Sequence, residues 1–318
     1  CSIANAANLA ILDTGATKVR ITTYDTAPGA AAAAGRALAD GNGLILGPLL
    51  AEDVRAVAPA ARAARVPVVA FSNDAEVAGD GVFLLGFSPG QAIDRVVSYA
   101  AEKGMTRFAG LMPTGVYGRR SSNALLRATE AAGGSVVSLQ TYDRSPKALA
   151  AAIAKLGQGQ DYDALLIADS GRIALQAVPL VRKHGGAAAD ARILGTELWN
   201  TEPSLGANAA LRGAWFASVP DGMFKQLSAK YHARFGTVPY RLASLGYDSV
   251  LLTVRIAADW NPGTPFPTKR LLDKGGFSGV DGAFRFRPDG TVERMLAVQQ
   301  VGPGGFTVIS PAPTGFGR

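Results

Sequence analysis

Apolar positions along this chain follow two alternating periods. Largely apolar runs at 43–46, 67–71 and 107–112 have the length of buried strands, and 19–23 is a short β-branched run. Between them, apolar residues recur three and four apart. Val54, Val57, Ala61 and Ala64 do so within 52–65, and Ile93, Val96, Val97 and Ala100 within 91–103. That spacing puts one apolar stripe on a helix. The alanine-rich stretch 30–39 is also predicted helical. Strand–helix–strand repetition with connections of a few residues predicts a parallel α/β sheet.

The rhythm restarts after Pro113. Helices are predicted at 116–132, at 147–156 behind the start signal Ser145-Pro146, and at 172–184. Strands are predicted at 135–141, 164–168, 192–194 and 214–219. Two long helical patterns follow at 223–235 and 240–260, then short strands around 283–286, 295–301 and 306–309. The expected fold is α/β, with two doubly wound parallel-sheet lobes joined by a multi-strand hinge. The first lobe is expected to hold 1–112 plus 222–280, and the second 113–221 plus 281–318, with a ligand cleft between them. Residues 2–12 already read as a helix, where such a lobe should open on a strand. The first strand is therefore expected to be missing.

Composition narrows the function. At 318 residues with 48% hydrophobic and 18% charged residues, the chain has apolar surface for more than one core. No apolar run is long enough for a membrane span. The net charge is +7, carried by the second part: 1–112 has nine basic against ten acidic residues, 113–318 has 23 against 15. The basic residues are dispersed and not interleaved with aromatics, so a solvated basic surface is expected rather than nucleic-acid binding. An anionic partner such as a cell-wall polymer is the alternative. One cysteine and two histidines, His184 and His232, supply neither a disulfide framework nor a metal centre, and poorly supply a catalytic triad. No phosphate loop ending in Gly-Lys-Ser/Thr occurs. No enzyme activity, cofactor or metal is expected. Cys1 is either the lipid-bearing residue of an anchored protein or an ordinary terminal residue.

Four segments, in order, resemble a known family: LILGPLLAEDVRAVAPAARAARVPVVAFSND (44–74), GVYGRRSSNALLRATEAAGG (115–134), DYDALLIADSGRIALQAVPLVRKHG (161–185) and KYHARFGTVPYRLASLGYDSVLLTVRIA (230–257). Together they resemble type I periplasmic binding proteins of the leucine/isoleucine/valine-binding class. Within that class, LGTELWN (194–200) and GYDSVLL (246–252) are similar to the periplasmic domains called penicillin-binding protein activators. The resemblance implies a periplasmic location. It implies a solute receptor for a carboxylate-bearing, amino-acid-like ligand, feeding an ABC-type importer. The other implied role is an activator docked on a cell-wall synthase.

In open parallel sheets, ligands sit beyond the carboxyl ends of strands. Those ends include 47–51, 72–74, 113–117, 169–171 and 196–200. The Leu50 and Ala51 amides begin a helix, where unpaired N–H groups and partial positive charge suit a carboxylate. Ser72 adds a hydroxyl and Asn73 an amide. The family resemblance puts Tyr117 against the pocket and Glu197 opposite a ligand ammonium; packing and an internal salt bridge are their other readings. Trp199 either walls the pocket or packs. Asp169-Ser170 stands where amino-acid receptors often carry an aromatic, which implies a more polar site. Asp169 is alternatively the cap of the following helix. Asp248 is expected to be structural.

Overall fold

The computed structural model describes residues 2–184 and 186–316; Cys1, the candidate lipid site, lies outside them. The chain opens with α1 (Ser2–Thr14), α2 (Ala30–Ala39), β1 (Ile45–Leu46), α3 (Ala51–Ala63), β2 (Val68–Ala70) and β3 (Val82–Leu84). Then come α4 (Pro89–Glu102), β4 (Arg107–Pro113), α5 (Val116–Ala131), β5 (Ser135–Tyr142), α6 (Pro146–Gly157), β6 (Ala164–Ile167) and α7 (Gly171–Arg182). The short α8 (Ala187–Asp190) leads to β7 (Arg192–Leu194) and β8 (Trp215–Ser218). Two helices follow, α9 (Gly222–Phe235) and α10 (Ala243–Ala257). The chain ends with β9 (Phe277–Gly279), β10 (Gly282–Phe286), β11 (Val292–Arg294), β12 (Ala297–Gly302) and β13 (Gly305–Ser310).

These elements form two compact units. The first unit takes the chain through Phe87, Val219–Met295 and the chain from Pro313. Its β1, β2 and β3 make a parallel sheet in that order, and β11, β10 and β9 make a small antiparallel one. Val54, Val57 and Ala61 of α3 pack on Val68, Ala70, Val82 and Leu84, so the predicted helical stripe is the buried one. Ala6, Leu9 and Ala10 of α1 pack with Ala243, Tyr247 and Val250 of α10. Gly246 permits that approach, since a Cβ there would sit 2.3 Å from the Ile3 carbonyl oxygen.

The second unit is Ser88–Ser218 with Leu296–Ala312. Its sheet has seven strands in the order β13-β12-β8-β7-β6-β4-β5. Strands β4 to β8 are parallel to their neighbours, and β12 and β13 add antiparallel at the edge. Leu149, Ile153 and Leu156 of α6 and Ala174, Val178 and Val181 of α7 meet Leu165, Ile167 and Ile193 in one core.

Three expectations need correction. Residues 88–112, expected in the first lobe, belong to the second unit: they hold α4 and most of β4, which pairs with β5 and β6 inside that unit's sheet. Residues 283–286, expected in the second lobe, form β10, which pairs with β9 and β11 in the first unit. Strand pairing, not the sequence position of the restart at Pro113, decides membership. The run 19–23 forms no strand. Its Arg20, Thr22 and Thr23 are exposed, and no neighbouring strand meets its backbone among the described residues.

Candidate functional site

In the first unit, β1 and β2 lie side by side and parallel, so the loops at their carboxyl ends are neighbours. Gly47 turns the first loop at φ +98°, and Gly47-Pro48 is a cis peptide. The Phe71 amide donates to the Pro48 carbonyl at 2.9 Å, tying the two loops together. Leu50 caps α3 in an extended conformation with no side-chain hydrogen bond, so the amides of the first turn carry no capping oxygen. Glu52 and Asp53 also sit in that turn. Their charge complements the helix dipole and opposes an incoming anion.

Ser72 is buried, and its Oγ accepts from the Asp74 amide at 3.1 Å. The hydroxyl hydrogen is still available for donation. Asn73 is exposed. Asp74 caps the next turn by accepting from the Glu76 amide at 2.9 Å, and it lies 3.6 Å from Arg55. Gly86 packs on this loop, where a Cβ would lie 2.3 Å from the Ser72 carbonyl oxygen.

In the second unit, four strand ends supply a polar cluster. Tyr117 enters from the first turn of α5, after β4. Gly118 is required beside it, because a Cβ there would fall 1.6 Å from the Pro113 carbonyl oxygen. The Tyr117 hydroxyl lies 2.8 Å from Thr196 Oγ1 and 3.2 Å from Glu197 Oε1. Glu197 Oε2 is buried and lacks a hydrogen-bond partner. Burial pushes the Glu197 carboxyl up to about 7, against smaller lowering by hydrogen bonds from its own amide, Tyr117 and Thr196. Burial, then the Glu197 charge, likewise pushes the Tyr117 phenol up.

Asp169 and Trp199 are both buried and hydrogen-bonded within the second unit. The Asp169 carboxylate accepts from Tyr142 Oη at 2.8 Å, Arg144 Nε at 3.3 Å and the Ser170 amide at 2.7 Å. Trp199 is fully buried, and its Nε1 donates to the Asp169 carbonyl at 3.0 Å. Its indole lies against Gly195, where a Cβ would approach within 2.3 Å. Ser170, not Asp169, caps α7, accepting from the Ile173 amide at 3.4 Å. The structure thus unites Leu50, Ala51, Ser72 and Asn73 on one unit's loops, and Tyr117 with Glu197 on the other's. Asp169 and Trp199 are engaged with Tyr142, Arg144 and one another within the second unit.

Three residues escaped the sequence reading: Thr196, Tyr142 and Arg144. Thr196 and Tyr142 do lie at strand ends, which was the available signal. Arg144 keeps more than half of its side chain exposed while Asp169 holds its Nε. A nucleophile-type spacing was also missed, Gly86-Phe87-Ser88-Pro89-Gly90. Ser88 is the extended N-cap of α4, followed by Pro89 at the helix start. That is a helix-start pattern, not the strained strand-to-helix elbow that activates a serine. Among the described residues, no three His, Cys, Asp or Glu side chains cluster to hold a metal.

Two α/β units with polar loops at the carboxyl ends of their parallel strands define a binding-protein architecture. The chain belongs to the periplasmic binding protein family, whose profile matches residues 2–305. The family is one of solute-binding, non-enzymatic proteins that act outside the cytoplasm. No described helix is long and apolar enough to cross a membrane. Among solved structures, the fold is similar to a candidate branched-chain amino acid ABC transporter protein from Rhodospirillum rubrum. The TM-score is 0.81 at 20% identity, over 97% of this chain and 94% of that one. It is also similar to full-length LpoA from Haemophilus influenzae, with TM-score 0.75 and 18% identity, over 98% of this chain and 55% of that one. At these identities the likeness concerns the fold. An uncharacterized protein of Rickettsia prowazekii, RP748, is 23% identical over 145 residues. That match spans 45% of this chain and 39% of the relative.

Proposed function

We propose that this protein is a periplasmic solute receptor for a small, carboxylate-bearing, amino-acid-like ligand, and that it delivers the ligand to an ABC-type importer. The observation that carries the reading is Glu197. A carboxylate that is buried, with one oxygen unpartnered, is a costly feature unless a cation completes it. A ligand ammonium supplies that cation, with Tyr117 and Thr196 fixing the carboxylate. The ligand carboxylate is assigned to the Leu50 and Ala51 amides with the Ser72 hydroxyl, and Asn73 beside them. The likeness to a branched-chain amino acid transporter protein supports the ligand class.

A panel of amino acids and short cell-wall peptides, titrated by calorimetry, tests this. Glu197→Gln should cost about 2–5 kcal/mol, on the order of 30- to 4000-fold in affinity, because the ammonium loses its charged partner. Ser72→Ala should cost less, about 1–2 kcal/mol, since backbone donors remain. An unchanged affinity in Glu197→Gln would sink the assignment.

A second reading keeps the fold and drops the transport: a penicillin-binding protein activator, serving as an interaction module for a cell-wall synthase. The likeness to LpoA over nearly the whole of this chain favours it. If the panel finds no ligand while a purified synthase is bound or stimulated, this reading replaces the first.

A further inference from the structure

At the amino-terminal edge of the second unit's parallel strands, opposite the edge that carries Tyr117 and Glu197, lies a cavity of about 160 Å³. That exceeds the ~10–15 Å³ a single water needs. Arg182 at the end of α7, Arg192 at the start of β7 and Arg212 line it, with Asp190 and Gly213. Three guanidinium groups therefore share one small space with a single carboxylate.

Backbone carbonyls, not acids, hold these arginines. Arg182 Nη1 donates to the Ala188 and Ala191 carbonyls at 2.9 and 2.8 Å. Arg192 Nη1 donates to the Gly213 carbonyl at 2.7 Å, and its guanidinium stacks 4.2 Å over the Trp215 ring. Arg212 Nε donates to the Gly206 carbonyl at 2.9 Å. Among the described residues none of the three forms an ion pair. A carbonyl anchor fixes a guanidinium without cancelling its charge. Each arginine keeps further N–H donors, including both Nη groups of Arg212. Burial holds the Arg182 pKa below its usual range, against smaller raising by Tyr162 and Asp190, and Arg192 adds the least.

The charge and the donor geometry select the occupant. Three cations against one carboxylate leave two positive charges, which one dianion neutralises. Planar forks with free N–H edges match the oxygens of a phosphoryl group. We infer that this cavity is an anion site for a phosphoryl dianion, separate from the ligand loops. Inorganic phosphate, a soluble phosphomonoester and a lipid phosphomonoester share that chemistry.

The test is titration of the full chain with inorganic phosphate at fixed ionic strength, read by calorimetry and by tryptophan fluorescence, since Arg192 stacks on Trp215. The expected result is saturable, one-to-one binding. Arg212→Gln should weaken it on the order of tenfold, and Asp190→Asn should strengthen it several-fold. Both residues are exposed, so the backbone anchors of Arg182 and Arg192 survive these changes. Strengthening in Asp190→Asn cannot arise from damage to the fold. Non-saturable binding, or equal affinity in the wild type and both variants, overturns the site. Vesicles containing phosphatidic acid separate the sources. Retention that Arg212→Gln abolishes assigns a lipid phosphomonoester; phosphate binding without retention assigns a soluble one.

Discussion

Glu197 bears a cost in the unliganded protein that its proposed partner would remove. Burial raises its carboxyl from the ordinary 4.5 to about 7, so the native state holds a proton that the unfolded chain has released. Stability should therefore fall as pH climbs from about 4.5 towards 7, and the loss is complete above 7. The shift corresponds to about 3 kcal/mol. Glu197→Gln should recover most of that at pH 8 and change little at pH 5, as urea unfolding at the two values would show. Ligand binding should also expel the proton, because an ammonium favours the charged carboxylate. Near pH 7, calorimetry in buffers of differing ionisation enthalpy should detect a fractional proton released per ligand. A binding enthalpy independent of buffer would count against the ammonium contact. At this scale resemblance singled out Tyr117 and Glu197, while Leu50, Ala51 and Ser72 followed from the strand-end rule. The sequence did not reveal that Tyr142 and Arg144 occupy Asp169, because those pairings join residues about 25 positions apart across separate strands.

Helices and strands position these groups through close backbone approaches, and glycines permit them. Gly195 lies under the Trp199 indole, and Trp199 in turn bonds the Asp169 carbonyl. Gly195→Ala should displace the indole, cost about 1–3 kcal/mol as overpacking does, and alter the near-ultraviolet dichroism. An unchanged spectrum and midpoint would mean that the indole is not held as described. The start of α3 yields a prediction of the opposite sign. Glu52 and Asp53 stand in the turn proposed to receive a carboxylate. Neutralising both, Glu52→Gln with Asp53→Asn, should raise affinity for an anionic ligand several-fold at low salt, about 0.3–1 kcal/mol per charge. Long periodic elements were readable: α2 falls on 30–39 as predicted, and α3, α4 and α5 lie within a few residues of their predicted ends. The three-residue strands β3, β9 and β11 were not foreseen. β2 and β7 are as short but were predicted at 67–71 and 192–194, whereas β3, β9 and β11 are strands only through their pairing with neighbours.

Over the whole chain, the two units interleave in sequence, with boundaries after Phe87, Ser218, Met295 and Ala312. The two-unit α/β architecture was legible from the restarted rhythm, but the boundaries were not, since β4 and β10 are assigned by partners far away in sequence. The first unit in particular must join separated segments, and a buried polar network contributes to this. Asp281 is fully buried; its Oδ1 accepts from Arg241 Nη2 at 2.7 Å and its Oδ2 from Ser244 Oγ at 2.6 Å. Arg241 also lies 3.1 Å from Asp221 and stacks over Phe224. Asp248, on α10, accepts from the Val280 and Asp281 amides, and burial together with the Asp281 charge raises its pKa. Removing one partner of such a pair strands the other charge in a poorly solvated place, so Asp281→Ala should cost about 3–5 kcal/mol. Replacing both partners with apolar side chains, Asp281→Leu with Arg241→Met, should cost less than the single change, since the fully buried charge and its partner go together and Asp221, which Arg241 also meets, is partly exposed to water. Chemical denaturation of the two variants beside the wild type decides it. If the double variant is the less stable of the two, packing by Arg241 on Phe224 outweighs the ion pair, and the charge argument for this network fails.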